Sequence, residues 1–301
     1  MTFGRPFASR SVAKSIPTLK VVDERKLHEL LPMCGKDSRL EASGVVQTGN
    51  NYIVVCDNIG QVARINCDFE HTERNGFFGE PVGYGFESIT FSGRDGRFFL
   101  LIEALPTESG EFKAKVVEWD REFRLLVEQW LDFTFEDENR GFEGLAVVDR
   151  DEAQFLLALC EGNMCRSGKK GRRPGGGRIQ AFQPADDQWQ HIGTIELPTT
   201  VEFEDYAGLA LDGSRIAIVS QACSGFWIGS LDTSSWTIDG DGQVYDFPRS
   251  SKGKTVYGNA EGVCWIAEDR IVIVSDRRKS DQPKRYGEKD QSIHVFEIPE
   301  A

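Results

Sequence analysis

Long apolar runs are absent from this chain. No stretch approaches the roughly 18 to 20 consecutive apolar residues that a membrane-spanning helix needs, so a membrane partner is not expected. Basic excess is absent too. Of the 301 residues, 35 are Lys or Arg and 48 are Asp or Glu, a net charge of −13. A surface of that sign lacks the phosphate-neutralising cations that duplex nucleic acid requires. The first residues, MTFGRPFASRSVAKSIPTLK, hold no apolar core of a secretory signal. Residues 1–17 read as a flexible basic arm, with a transit peptide as the other reading, and residues 18–301 as one domain.

Paired cysteine spacing is also missing. The seven cysteines are odd in number, and most lie inside apolar runs such as Val54-Val55-Cys56. That pattern favours reduced core thiols in a cytoplasmic protein over a disulfide framework, and Cys160 with Cys165 lacks the second pair of a zinc site. The four histidines, His28, His71, His191 and His294, occupy unrelated places, and no Gly-x-Ser-x-Gly elbow occurs. Neither a Ser-His-Asp triad nor a histidine metal centre has support. Gly253-Lys254-Thr255 is not a phosphate loop, because Pro248 stands where its first glycine belongs. Asp239-Gly-Asp241-Gly is not a calcium loop, because Ser250 stands at its twelfth position. Sustained helical periodicity is wanting as well; the one candidate, DERKLHELL, is short.

Strand signals fill the chain. NYIVVCD, RFFLLIEA, AQFLLALCE, RIAIVSQ and RIVIVSD are β-branched and aromatic runs bounded by Gly, Asp, Asn and Pro turns. Each of these runs follows one copy of a short repeat: Ala42-Ser43-Gly44-Val45, Phe86-Glu87-Ser88-Ile89, Phe142-Glu143-Gly144-Leu145, Tyr206-Ala207-Gly208-Leu209 and Ala260-Glu261-Gly262-Val263. The copies lie 44 to 64 residues apart, a period that suits four-stranded propeller blades with loops of variable length. The expected fold is all-β: a five-bladed β-propeller of four-stranded antiparallel blades. The last repeat is one strand short. The segment LKVVDERKL near the N-terminus can supply that strand and close the ring, which removes exposed sheet edges.

In such a blade the first strand lines the central channel, so the residue opening it sits at one mouth. Five of these residues meet there: Ser43, Glu87, Glu143, Ala207 and Glu261. Three carboxylates in one place resist joint ionisation. A divalent cation with a hard oxygen shell, calcium, relieves them, with Ser43 and Ala207 offering carbonyl oxygens. The second strand ends at the same mouth and brings Asp57, Glu103, Glu161, Gln221 and Asp276. Two basic loops leave from there. One runs from Arg166 to Arg178, just after Asn163; the other begins Arg277-Arg278-Lys279 and continues to Lys284-Arg285-Tyr286. Arginines over an acidic mouth suit a phosphate or carboxylate ligand.

The repeat set resembles the five-bladed propellers of the SdiA-regulated and esterase-like phytase proteins, whose blades open with Ser-Gly and Glu-Gly pairs. The Ser/Glu/Glu/Ser/Glu order is also similar to that of the calcium-activated nucleotidases, and Arg277 to Asp290 resembles their basic loop. The likeness covers the chain from about residue 40. Ala207 departs from it, standing where a Ser is usual; a carbonyl ligand survives that change and a hydroxyl ligand does not. The resemblance implies one calcium in the channel and hydrolysis of nucleoside phosphates or related anions. Five repeats rather than six argue against a lactonase of the six-bladed type.

The resulting expectation is a calcium-dependent hydrolase of a small anionic molecule. Metal ligands are Ser43, Glu87, Glu143, Ala207 and Glu261. Glu161 or Asp276 serves as general base, and Arg277 and Arg278 offset negative charge. Asp57, Glu103, Asn163, Arg166 and Gln221 contact the substrate. The alternative is a non-catalytic propeller whose calcium is structural and whose mouth binds a ligand or a protein partner.

Overall fold

The computed structural model describes residues 16–137 and 141–300. Most of the expected arm therefore lies outside the described residues; Pro17 accepts a 2.9 Å hydrogen bond from the Asp246 amide. In the described chain strand far outweighs helix. The short helical candidate is divided: its first residues belong to β1 (Lys20–Lys26), and only one turn of helix, α1 (Leu27–Leu30), follows.

The remaining strands fall into consecutive antiparallel sets. The first holds β2 (Ala42–Thr48), β3 (Asn51–Cys56), β4 (Ile59–Asn66) and β5 (Gly76–Phe78). The second holds β6 (Ser88–Ser92), β7 (Arg97–Pro106), β8 (Phe112–Trp119) and β9 (Leu125–Phe135). The third holds β10 (Phe142–Arg150), β11 (Ala153–Cys160), β12 (Arg178–Pro184) and β13 (Gln188–Glu196). The fourth holds β14 (Gly208–Asp212), β15 (Arg215–Ser220), β16 (Gly225–Asp232) and β17 (Thr237–Asp246). The last holds β18 (Ala260–Ala267), β19 (Arg270–Ser275) and β20 (Ser292–Glu297), and β1 completes it by pairing antiparallel with β20.

Hydrogen bonding joins these sets into four sheets, not the five separate ones expected. The difference arises at one place. Outer strands β9 and β13 meet in a short parallel pairing, Trp130 with Gln188 and Leu131 with Trp189, which merges two sets into one eight-stranded sheet.

The second strand of each set is an unbroken apolar run because it is covered on both faces. In β15 and β19 every residue after the opening Arg is buried. The core lies between sets. One cluster joins β3 and β4 to β7 and β8 through Val55, Phe86, Phe98 and Trp119. Another joins the last set to the first through Val54, Ile65, Val272 and Ile293. Removing a large side chain from such a cluster costs about 3–5 kcal/mol.

Two further features differ from expectation. Cys160 and Cys165 are joined by a disulfide, because the end of β11 and the 3₁₀ turn Asn163–Cys165 bring their Cα atoms to 5.2 Å; Cys34, Cys56, Cys67, Cys223 and Cys264 are free thiols. Among the described residues, no helix is long and apolar enough to cross a membrane.

Candidate functional site at the mouth of the strand ring

The five repeat motifs are neighbours around one axis. Strands β2, β6, β10, β14 and β18 pack each against the next, and β18 returns to β2. Glycine makes this approach feasible. A Cβ on Gly262 would lie 2.5 Å from Gly44 Cα, and one on Gly208 would lie 2.3 Å from the Glu261 carbonyl oxygen. Where Ser88 replaces the glycine, its Oγ instead accepts a 3.0 Å hydrogen bond from the Leu145 amide.

Three motif residues sit at breaks in the pairing. The register slips at Ser43 between β2 and β3, at Glu143 between β10 and β11, and across Glu261 and Gly262 between β18 and β19. Bulges of this kind re-aim a side chain at a strand end. Glu87 and Ala207 precede their strands and are fixed by amide hydrogen bonds to Leu101 and Val219, each 2.9 Å. Ser43 is buried and its hydroxyl donates to the Phe86 carbonyl at 2.5 Å.

The carboxylates of Glu87, Glu143 and Glu261 are half-buried and share one electrostatic environment. Burial pushes Glu87 up to about 8, with Glu103, Asp57 and Asp276 adding repulsion. Glu143 rises well above the ordinary range through burial and the charges of Glu87, Glu161 and Glu261. Glu261 does the same through burial, Asp276 and Glu87. The second ring behaves alike. Burial, then Asp276 and Glu41, push Asp57 up to about 7. Asp276 is raised to about 6 by burial, against the pull of the Arg277 amide and Lys279. Gln221 Nε2 donates to Glu261 Oε1 at 2.7 Å.

Beside the ring lies a cavity of about 390 Å³ that brings together Glu161, Arg166 and Gln221 with Arg172, Asp205 and Lys279. Its loop wall is built, not loose. Asn163 is fully buried; its amide donates to the carbonyls of Gly171 and Phe203, and its Oδ1 accepts from the Gly176 amide and the Tyr206 hydroxyl. Asn163 therefore shapes the loop and presents nothing to a ligand, which corrects its assignment as a substrate contact.

Arg278 is similarly committed, donating from Nη1 to the carbonyls of Lys279 and Gln282 at 2.9 and 3.2 Å. Neither Arg277 nor Arg278 lines the cavity, whereas Lys279 does. Sequence reasoning named Lys279 and Arg172 only as members of the two basic loops, and passed over Asp205 and Glu41. One signal pointed to two of them. The position two residues before each motif residue is Glu41, Gly85, Gly141, Asp205 and Asn259, and it is polar in three repeats. Asp205 is held there by Ser220 Oγ at 2.6 Å and the Ala222 amide at 2.9 Å.

Donors at the mouth are carboxylate, hydroxyl, amide and carbonyl oxygens, the set preferred by a hard divalent cation rather than by zinc or copper. They fit calcium in kind. Among the described residues, no group of three or more acidic, His or Cys side chains is arranged to hold a metal ion.

Comparison with solved structures agrees on the architecture: this is a β-propeller. The chain is similar to the glutaminyl cyclase of Myxococcus xanthus at 12% identity, with a TM-score of 0.57 over 94% of this chain and 98% of that one. Weaker likenesses, each with a TM-score of 0.49, are to the PQQ-bound aldose sugar dehydrogenase of Streptomyces coelicolor (13% identity, 91% and 98% covered) and to a luciferin-regenerating enzyme (11% identity, 91% and 94% covered). At such identities the likeness speaks for the fold alone. No protein-family model and no curated protein sequence matches the chain.

Proposed function

We propose that each strand set is one blade of a five-bladed propeller, that its acidic mouth holds calcium, and that it hydrolyses a small phosphorylated or otherwise anionic molecule. One observation carries this reading: the charge of Glu87 raises both Glu143 and Glu261, and that of Glu261 raises Glu143, so carboxylates from three separate repeats share one electrostatic environment. Buried like charges persist only with a compensating cation or with protons. The resemblance to calcium-activated nucleotidases and esterase-like phytases supports the same assignment.

Glu87, Glu143 and Glu261 would hold the ion, with carbonyl oxygens of Ser43 and Ala207. Calcium bound there supplies a Lewis acid that polarises a phosphoryl oxygen. Asp276, near 6, is ionised at neutral pH and can take a proton from an attacking water. Glu161 borders both the ring and the cavity and is the other candidate base. Asp57, Glu103 and Gln221 line the approach. Arg166 offsets charge on the substrate, while Arg277 stands outside the cavity lining and Arg278 positions its loop.

The test is turnover on nucleotides, sugar phosphates and phosphodiesters, with calcium and with chelator. Calcium-dependent release that Glu143→Gln abolishes supports the hydrolase. Calcium binding with no turnover on any substrate replaces it with the non-catalytic ligand- or protein-binding propeller.

A further inference from the structure

We infer that the substrate's anionic group binds off the axis, in the cavity beside the acid ring, and that Lys279 is the side chain that meets it. This deepens the hydrolase reading above and rests on it. The cavity lies between the loop after β11 and the loop after β19; its cationic lining is Arg166, Arg172 and Lys279, alongside the carboxylates Glu161, Glu204 and Asp205. An ammonium with two guanidinium groups is a donor set for a phosphate-type oxyanion. Glu161 and Gln221 share that lining, and Gln221 is bonded to Glu261, so the cavity wall is tied to the ring through Gln221.

The place of Lys279 is fixed by its backbone. Its amide donates to Gln282 Oε1 at 2.8 Å, and its carbonyl accepts from the Gln282 amide at 3.1 Å and from Arg278 Nη1 at 2.9 Å. Gln282 is held in turn by Asn259 Nδ2 at 3.0 Å. Among the described residues, the buried Oδ1 of Asn259 has no partner. Burial works against the charge of the Lys279 ammonium, yet Asp276, Glu261, Asp57 and Glu143 together keep it above the usual lysine value. Lys279 thus lines the cavity within the field of the acid ring, and that field favours its charged form. Arg277 and Arg278, the more obvious cations of this loop, do not reach the lining.

This position gives Lys279 two opposed effects. It attracts an anion in the cavity, and it competes with a divalent cation for the field of the ring. Both are read by calorimetry on the full chain, titrating inorganic phosphate with calcium present and calcium alone, for wild type, Lys279→Met and Lys279→Arg. The expected result for Lys279→Met is a phosphate affinity lowered about tenfold and a calcium affinity raised, with Lys279→Arg keeping phosphate affinity near wild type. Phosphate affinity unchanged in Lys279→Met, or no phosphate binding by the wild type, overturns the inference. Calcium binding that fails in the wild type sinks the hydrolase reading; a phosphate affinity that still depends on Lys279 then upholds the cavity assignment by itself.

Discussion

Gln221 donates its side-chain amide to Glu261 across the gap between β15 and β18, tying the second ring of one strand set to the first ring of the next. Partners of this kind orient a metal ligand and set its basicity, and losing one costs about 10- to 100-fold in metal affinity. Gln221→Leu should weaken calcium binding by about tenfold and leave the chelated protein's melting temperature nearly unchanged. An unchanged calcium isotherm would show that Glu261 needs no such support.

The acid mouth predicts a pH dependence of stability. Folded Asp276, Asp57 and Glu87 titrate at about 6, 7 and 8, all above their unfolded values. Their protonated forms favour the fold, so that stability is fully present below pH 4 or so and is lost as pH rises through 6 to 8. In chelator, the melting temperature should therefore fall between pH 6 and 8. Saturating calcium should remove most of that fall, because the cation replaces the protons. Glu143→Gln in chelator should be more stable than wild type at pH 8. A flat profile in chelator would contradict the shared environment of these groups.

Ring closure carries its own pH signature. Glu24 on β1 accepts from Lys289 and from the Tyr257 hydroxyl at 3.0 Å, and its Oε2 lies 3.2 Å from His294 Nδ1. The hydrogen bond from His294 first, then that from Lys289, hold Glu24 down to about 2 against the effect of burial. The stability it contributes is present above pH 4.5 and is lost as pH falls towards 2. Burial lowers His294, so protonation of the unfolded chain adds a loss that begins below about pH 6.5. Glu24→Gln should cost about 1–3 kcal/mol at pH 7, and the difference from wild type should shrink below pH 4. Urea midpoints measured across that range check it.

Asn163 should behave as a structural residue. Asn163→Leu leaves the carbonyls of Gly171 and Phe203 and the amide of Gly176 without their partner. Several lost hydrogen bonds of this kind cost about 3 kcal/mol. The loop between Glu161 and Arg178 should become sensitive to protease before the rest of the chain unfolds. Resistance equal to wild type would return Asn163 to the ligand side of the site.

Much of this molecule was legible in its sequence because propeller physics repeats. The motifs at Ser43, Glu87, Glu143, Ala207 and Glu261 mark where an inner strand begins, and their spacing located the ring. The strand that closes it, Lys20–Lys26, was legible from a missing fourth strand. The merger of two sets through Trp130 and Gln188 was not, since a two-residue pairing between two outer strands leaves no periodic trace. The Cys160–Cys165 bond was hidden because their spacing alone does not reveal the tight turn between them. Lys279 was masked by its neighbours. A run of Arg277, Arg278 and Lys279 shows where cations cluster, and only the fold shows which of them lines the cavity.

Calcium titration by isothermal calorimetry tests the central claim most directly, on wild type and on Glu87→Gln, Glu143→Gln and Glu261→Gln. The account predicts one calcium per chain, with each substitution weakening it by at least about tenfold. Absence of calcium binding in the wild type, or three variants that bind as it does, would contradict it.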